Sequence, residues 1–206
     1  MERVSEIRKL TGGRYLVSLE SGLRFPLYGK ELSECALSED AVIEEEVFAY
    51  IMEELLPKRA RLRAMHLLEK MDRTEYQLRQ KLELSAYPDE IIDDAVRYVK
   101  EYHYIDDLRY ARNYLQSRAS SKSIRQMEQE LYTKGISKDV ARQALSEAEL
   151  PDEEAQIRAL LEKKHYDPAE TDLKIQQKMY AYLIRKGYDR AAITRVLRQV
   201  QELDCQ

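Results

Sequence analysis

Between Asp106 and Lys134 the sequence gathers the side chains best suited to recognising another molecule: Asp106, Asp107, Arg109, Tyr110, Arg112 and Arg118, then Lys122, Arg125 and Lys134. Guanidinium forks and ammonium groups pair with carboxylates or phosphates, so the chemistry on offer is ionic recognition, with no bond made or broken. Arg109 and Arg112, three residues apart, share one helix face. A secondary basic cluster, Arg59, Arg61 and Arg63, follows Pro57, where alternate spacing on a helix fans the charges out. Surface charge also keeps helical proteins soluble, so local sequence leaves both a partner surface and a plain solvated face open.

Catalytic chemistry is not expected. His66, His103 and His165 stand singly, and the sequence has no glycine-rich phosphate loop, no GxSxG and no HExxH. Asp93-Asp94 and Asp106-Asp107 are adjacent pairs, which on a helix point about 100° apart and have no third ligand at metal spacing. Helix capping or a solvated face accounts for them. Cys35 and Cys205 form no CxxC, so neither a zinc site nor a disulfide framework is indicated, and a reducing cytoplasm suits the chain best. No cofactor and no metal are implied.

Composition limits what can hold these residues. At 44% hydrophobic and 35% charged, the chain suits several small cores better than one deep one. Trp is absent and 15 Tyr face 2 Phe, so most aromatic mass carries a hydroxyl that wants a polar partner or the surface. The net charge of −4 is unevenly spread: residues 1–57 carry 6 basic and 12 acidic residues, 58–150 carry 18 and 16, and 151–206 carry 10 of each. A surface for a polyanion would therefore sit in the later part of the chain. There is no basic segment followed by an apolar core at the start and no apolar run of about 18 residues, so neither export nor membrane insertion is expected.

The elements that must position the cations are mostly helical. Val4 to Leu10, Arg14 to Glu20 and Leu23 to Leu27 read as β-formers separated by glycine turns, a small antiparallel meander. From about Lys30 the period becomes helical, and the run Ala41 to Leu56 predicts a linking helix that Pro57 closes. The rest repeats: aligning Leu82, Leu131 and Leu183 superposes Ala86, Gly135 and Gly187, then Tyr87, Ile136 and Tyr188, then Ile91, Val140 and Ala192. Each repeat holds three helices, the first ending near Met71, Arg118 or His165 and the second near Leu84, Lys134 or Lys186. Thr74-x-x-Gln77 and Ser123-x-x-Gln126 can form capping boxes, and Ser137 and Asp189 can cap third helices. Closing stripes run Ile91, Ile92, Ala95, Val96, Val99; Val140, Ala144, Leu145, Ala148; and Ile193, Val196, Leu197, Val200. The expected fold class is mainly α: tandem three-helix repeats over 58–104, 105–150 and 151–206 in an elongated, curved array, behind a small N-terminal β-meander and helix over 1–57.

Three strings, Arg73-Thr74-Glu75-x-x-Leu78-x-x-Lys81-Leu82, Asp106-Asp107-x-Arg109-Tyr110-Ala111 and Glu130-Leu131-x-x-Lys134-Gly135-Ile136, resemble the RecX family in order and spacing. The resemblance spans nearly the whole chain and is most specific between about Arg63 and Ala148. Ser120-Ser121-Lys122-Ser123 departs from it, standing where the family commonly has a glycine and basic residues, and Gln126 replaces a common Arg. The resemblance implies a cytoplasmic, monomeric, non-enzymatic regulator, mainly an inhibitor, of the RecA recombinase. Such a protein would occupy the RecA filament on single-stranded DNA and damp its ATPase, strand-exchange and co-protease activities in homologous recombination, DNA repair and the SOS response. The alternative reading from the residues is a helical single-stranded nucleic-acid-binding module that acts without RecA, using tyrosines and the same cations.

Overall fold

The computed structural model describes residues 2–167 and 172–203, with side chains through residue 198. The chain is mainly helical, with a small antiparallel sheet at its N-terminal end. Strands β1 (Glu2–Lys9), β2 (Arg14–Leu19) and β3 (Arg24–Tyr28) form the meander. A short strand β4 (Val42–Ile43) extends the sheet to the order β3-β2-β1-β4 by pairing Val42 with Arg3 and Ile43 with Glu2. This corrects the reading of 41–56 as helix throughout, because pairing with a strand forty residues away leaves no trace in the local period. Helix α1 (Gly29–Glu34) precedes β4.

The linking helix differs from expectation in a second way. Helix α2 (Glu45–Ala49) runs into a π-helical segment (Tyr50–Leu55) and on into α3 (Leu56–Lys70), so Pro57 lies in the first turn of α3 and does not stop the helix. Proline has no N–H to donate, and its ring crowds the carbonyl four residues back. The wider π turn changes the hydrogen-bond register just where proline would break it.

Helix α3 is also the first helix of the first repeat, with α4 (Glu75–Glu83) and α5 (Asp89–Glu101). The second repeat is α6 (Asp107–Arg118), α7 (Ile124–Thr133) and α8 (Lys138–Glu147). The third is α9 (Glu153–Lys163), α10 (Leu173–Arg185) and α11 (Arg190–Leu203). Thr74 completes its box: its hydroxyl accepts from Gln77 N at 3.2 Å, and Gln77 Oε1 accepts from Thr74 N at 3.4 Å. Ser123 completes only half, accepting from Gln126 N at 3.2 Å, while Gln126 Oε1 is buried without a hydrogen-bond partner. The Ser123 hydroxyl instead donates to Lys186 O at 2.7 Å. Ser137 and Asp189 cap α8 and α11 as their positions predict.

The second helix of every repeat ends alike. The residue at Ala86, Gly135 or Gly187 takes a left-handed φ of 66°, 84° or 83°. The next amide, of Tyr87, Ile136 or Tyr188, donates to the carbonyl of Leu82, Leu131 or Leu183, and those leucines are fully buried. This is the Schellman arrangement, and the apolar residue after the turn folds back onto the helix.

Two compact units result, residues 1–106 and 107–206. In the first, one continuous core joins the sheet (Val17, Phe25, Leu27), the linking helix (Ile51, Leu56) and the first repeat (Leu78, Leu82, Ile92, Val96). Ala60 and Ala64, fully buried on α3, let α5 pack closely against it. The second unit has one apolar cluster per repeat, around Leu115, Met127 and Leu131 and around Ile157, Leu183 and Ile193. Besides the Ser123 bond, Gln156 Nε2 donates to Ala119 O at 2.8 Å, so two buried polar side chains tie these repeats together. The stripe residue Val200 and Cys205 have side chains outside the described residues.

Candidate functional site

Helix α6 presents the central string as its sequence suggests. Asp107 stands in its first turn, where a carboxylate meets the positive end of the helix, and Ala111 and Leu115 are fully buried. Tyr110 and Tyr114, half-buried, pack on the same cluster. Asp106, Arg109, Arg112 and Arg118 lie on the exposed side.

The cations separate into those that build the fold and those that face outward. Arg112 reaches from α6 to α8 and pairs with Glu147 at 2.6 Å; a hydrogen bond from Gln143, with that of Arg112, holds the Glu147 carboxyl below its ordinary range. Arg118, Lys122 and Lys134 come together, with Tyr114 and Glu130 between them. Lys122 Nζ lies 2.6 Å from Glu130 Oε1, the Tyr114 hydroxyl donates to Glu130, and Lys134 Nζ sits 5.6 Å above the Tyr114 ring.

Lys186, from the corner of the third repeat, joins this group. Desolvation and the like charges of Arg118, Lys134 and Lys186 press the Lys122 ammonium below its usual pKa, while the Glu130 carboxylate supplies the counter-charge. Arg118, Lys122, Lys134 and Lys186 thus gather within electrostatic reach of one another. Lys164 and Lys186 flank the Tyr182 ring at 5.3 and 5.9 Å. Arg125, exposed near the start of α7, lies against the third-repeat corner, since a Cβ at Gly187 would be 3.5 Å from the Arg125 Cβ. Sequence reading treated Lys186 only as a helix end. The signal was present, because Lys186 aligns with Lys134 in the repeat register, each directly before the corner glycine.

The secondary cluster is only partly brought together. Arg59 is mostly buried, donates to Glu31 Oε2 at 2.7 Å and to Pro26 O at 3.3 Å, and stacks 4.3 Å from the Tyr28 ring. Arg61 grips Asp94 with both ends of its fork, at 2.7 and 2.9 Å. That bond, joined by one from Arg97, holds the Asp94 carboxyl below its ordinary range. Arg63 is exposed and, among the described residues, makes no ion pair. Arg61 is therefore turned to α5, while Arg59 and Arg63 line one cleft of the first unit.

Among the described residues no group of three or more His, Cys, Asp or Glu could hold a metal ion, and no helix is long and apolar enough to cross a membrane.

Comparison with known proteins places this architecture. Family models for the first, second and third three-helix domains of RecX match residues 60–98, 106–145 and 152–197 in that order. The chain is 27% identical to the regulatory protein RecX of Clostridium perfringens over 95% of its length and 93% of that protein's. It is 30% identical to the regulatory protein RecX of Clostridium acetobutylicum, over 77% of this chain and 72% of that protein. A crystal structure of regulatory protein RecX shares the fold with a TM-score of 0.62, covering 95% of this chain and 98% of the other at 23% identity. The crystal structure of RecX from Lactobacillus salivarius does so with a TM-score of 0.61 over 71% of this chain and 97% of its own, at 21% identity. With three consecutive domain matches on three observed repeats, the chain belongs to the RecX family.

Proposed function

We propose that the protein is a non-enzymatic regulator of the RecA recombinase, mainly an inhibitor, that binds the RecA filament on single-stranded DNA. The observation that carries the reading is the convergence of Arg118, Lys122, Lys134 and Lys186 on one surface of a chain whose repeats belong to the RecX family. A surface built from two consecutive repeats can meet acidic groups on neighbouring filament subunits, or the phosphates of the strand they hold, more strongly than either repeat alone. The role is one of occupancy: the bound protein blocks filament extension and lowers ATP hydrolysis, strand exchange and co-protease action.

The test is the rate of ATP hydrolysis by the cognate RecA on single-stranded DNA, with this protein added from sub-stoichiometric to equimolar amounts. Hydrolysis should fall with dose, and Arg118→Glu with Lys134→Glu should need roughly ten-fold more protein for the same effect, the loss of one or two ionic contacts. Unchanged hydrolysis would remove the reading.

One observation favours direct strand binding without RecA. The Tyr102 and Tyr104 rings stack with centroids 6.4 Å apart, Tyr98 meets Tyr102 tilted at 4.8 Å, and Tyr102 and Tyr104 are about half exposed. Bases stack on such platforms. Steeply salt-dependent binding of a bare oligonucleotide, lost in Tyr102→Ala, would shift the assignment to that reading.

A further inference from the structure

A cleft of about 650 Å³ opens in the first unit between the sheet and α3, apart from the surface just described. Arg14 at the start of β2, Tyr28 at the end of β3, Glu31 of α1, Arg59 and Arg63 of α3, and Tyr87 at the α4–α5 corner line it. The guanidinium groups of Arg14, Arg59 and Arg63 thus share one cleft.

The single carboxylate in this set is already used. Glu31 Oε2 accepts from Arg59 at 2.7 Å and from the Tyr28 amide at 2.6 Å. Arg14 has one long bond from Nε to Thr11 O, at 3.4 Å, and Arg63 has no ion pair among the described residues. Two positive charges therefore line the cleft without a carboxylate partner among the described residues. All three arginines lie close enough to act on the Tyr87 hydroxyl: burial pushes its pKa up, the arginines pull against that, and the net result is upward. The hydroxyl thus keeps its proton at neutral pH and can donate a hydrogen bond.

We propose that this cleft binds a small phosphorylated ligand of nucleotide size, its phosphate held by the guanidinium forks of Arg14 and Arg63 with Tyr87 beside them. Arginine forks match phosphate oxygens two at a time, and two forks suit a doubly charged group. The volume falls within the range of small-molecule sites. This site lies outside the proposed filament-binding surface and does not depend on it.

The test is calorimetric titration of the full chain with ADP, with inorganic pyrophosphate and with a dodecameric oligo(dT), without RecA. ADP should bind one saturable site, and pyrophosphate should displace it. Arg63→Glu should weaken ADP binding at least ten-fold, Arg14→Gln should weaken it less, and Arg142→Glu, on exposed α8, should leave it unchanged. Arg63 is exposed, so an unaltered melting temperature should accompany its effect; if Arg14→Gln loses the fold, Arg63→Ala decides alone. No binding of ADP at millimolar concentration, binding undiminished by Arg63→Glu, ADP that pyrophosphate does not displace, or binding of the oligonucleotide only would each overturn the proposal.

Discussion

At Gly187 the chain turns with φ +83°, and a Cβ there would come within 2.9 Å of the Ser123 hydroxyl. That hydroxyl is held at both ends, accepting from Gln126 N and donating to Lys186 O, so it cannot step aside without losing a bond. Gly187→Ala is therefore expected to cost about 1–3 kcal/mol of stability, the sum of left-handed backbone strain and a displaced buried hydroxyl. Gly13→Ala, at φ +73° with open space around it, should cost only the backbone part. Urea midpoints of the two variants decide it, and equal losses would mean that Ser123 yields freely. The repeat register made Gly187 legible as a corner. Its contact with Ser123 was not legible, because register relates equivalent positions and says nothing of which repeat touches which. The same limit kept Arg14 apart from Arg63, which meet at one cleft only after folding.

Among the elements, those with a strong local cause were readable, and the linking segment was not. Thr74, Ser137 and Asp189 mark helix starts through hydrogen bonds made within three residues, so their sequence positions carried the answer. Strand β4 exists because β1 offers an edge, and the helix passes Pro57 because a π segment precedes it; both causes lie outside the local pattern. This account of Pro57 makes a prediction. If the π segment already accommodates the proline, Pro57→Ala should change stability by less than about 1 kcal/mol. Leu62→Pro, at an exposed α3 position with ordinary hydrogen bonding, should cost about 3 kcal/mol or more. Circular dichroism through a urea titration measures both. A gain of several kcal/mol from Pro57→Ala would show that the helix bears the proline as strain.

For the whole molecule, folding units and repeats need not coincide. A lone three-helix repeat of about forty residues buries too little apolar surface to stand alone comfortably. The two compact units answer this differently. In the first, the sheet, the linking helix and the first repeat share one core, in which Ile51 and Leu56 belong equally to what lies before and after Pro57. In the second, two repeats lean on each other through Ser123, Gln156 and the Gly187 corner. Fragments 1–106 and 107–206 should therefore each unfold in a single cooperative transition. Fragment 1–57 should show none, because its strands lose the α3–α5 side chains that cover them. Thermal melts with urea m-values in proportion to fragment length would bear this out. A cooperative melt of 1–57 alone would instead show that the meander and its helix fold independently. The cleft lined by Arg14 and Arg63 would then lie between two separately folding pieces, free to open as they part.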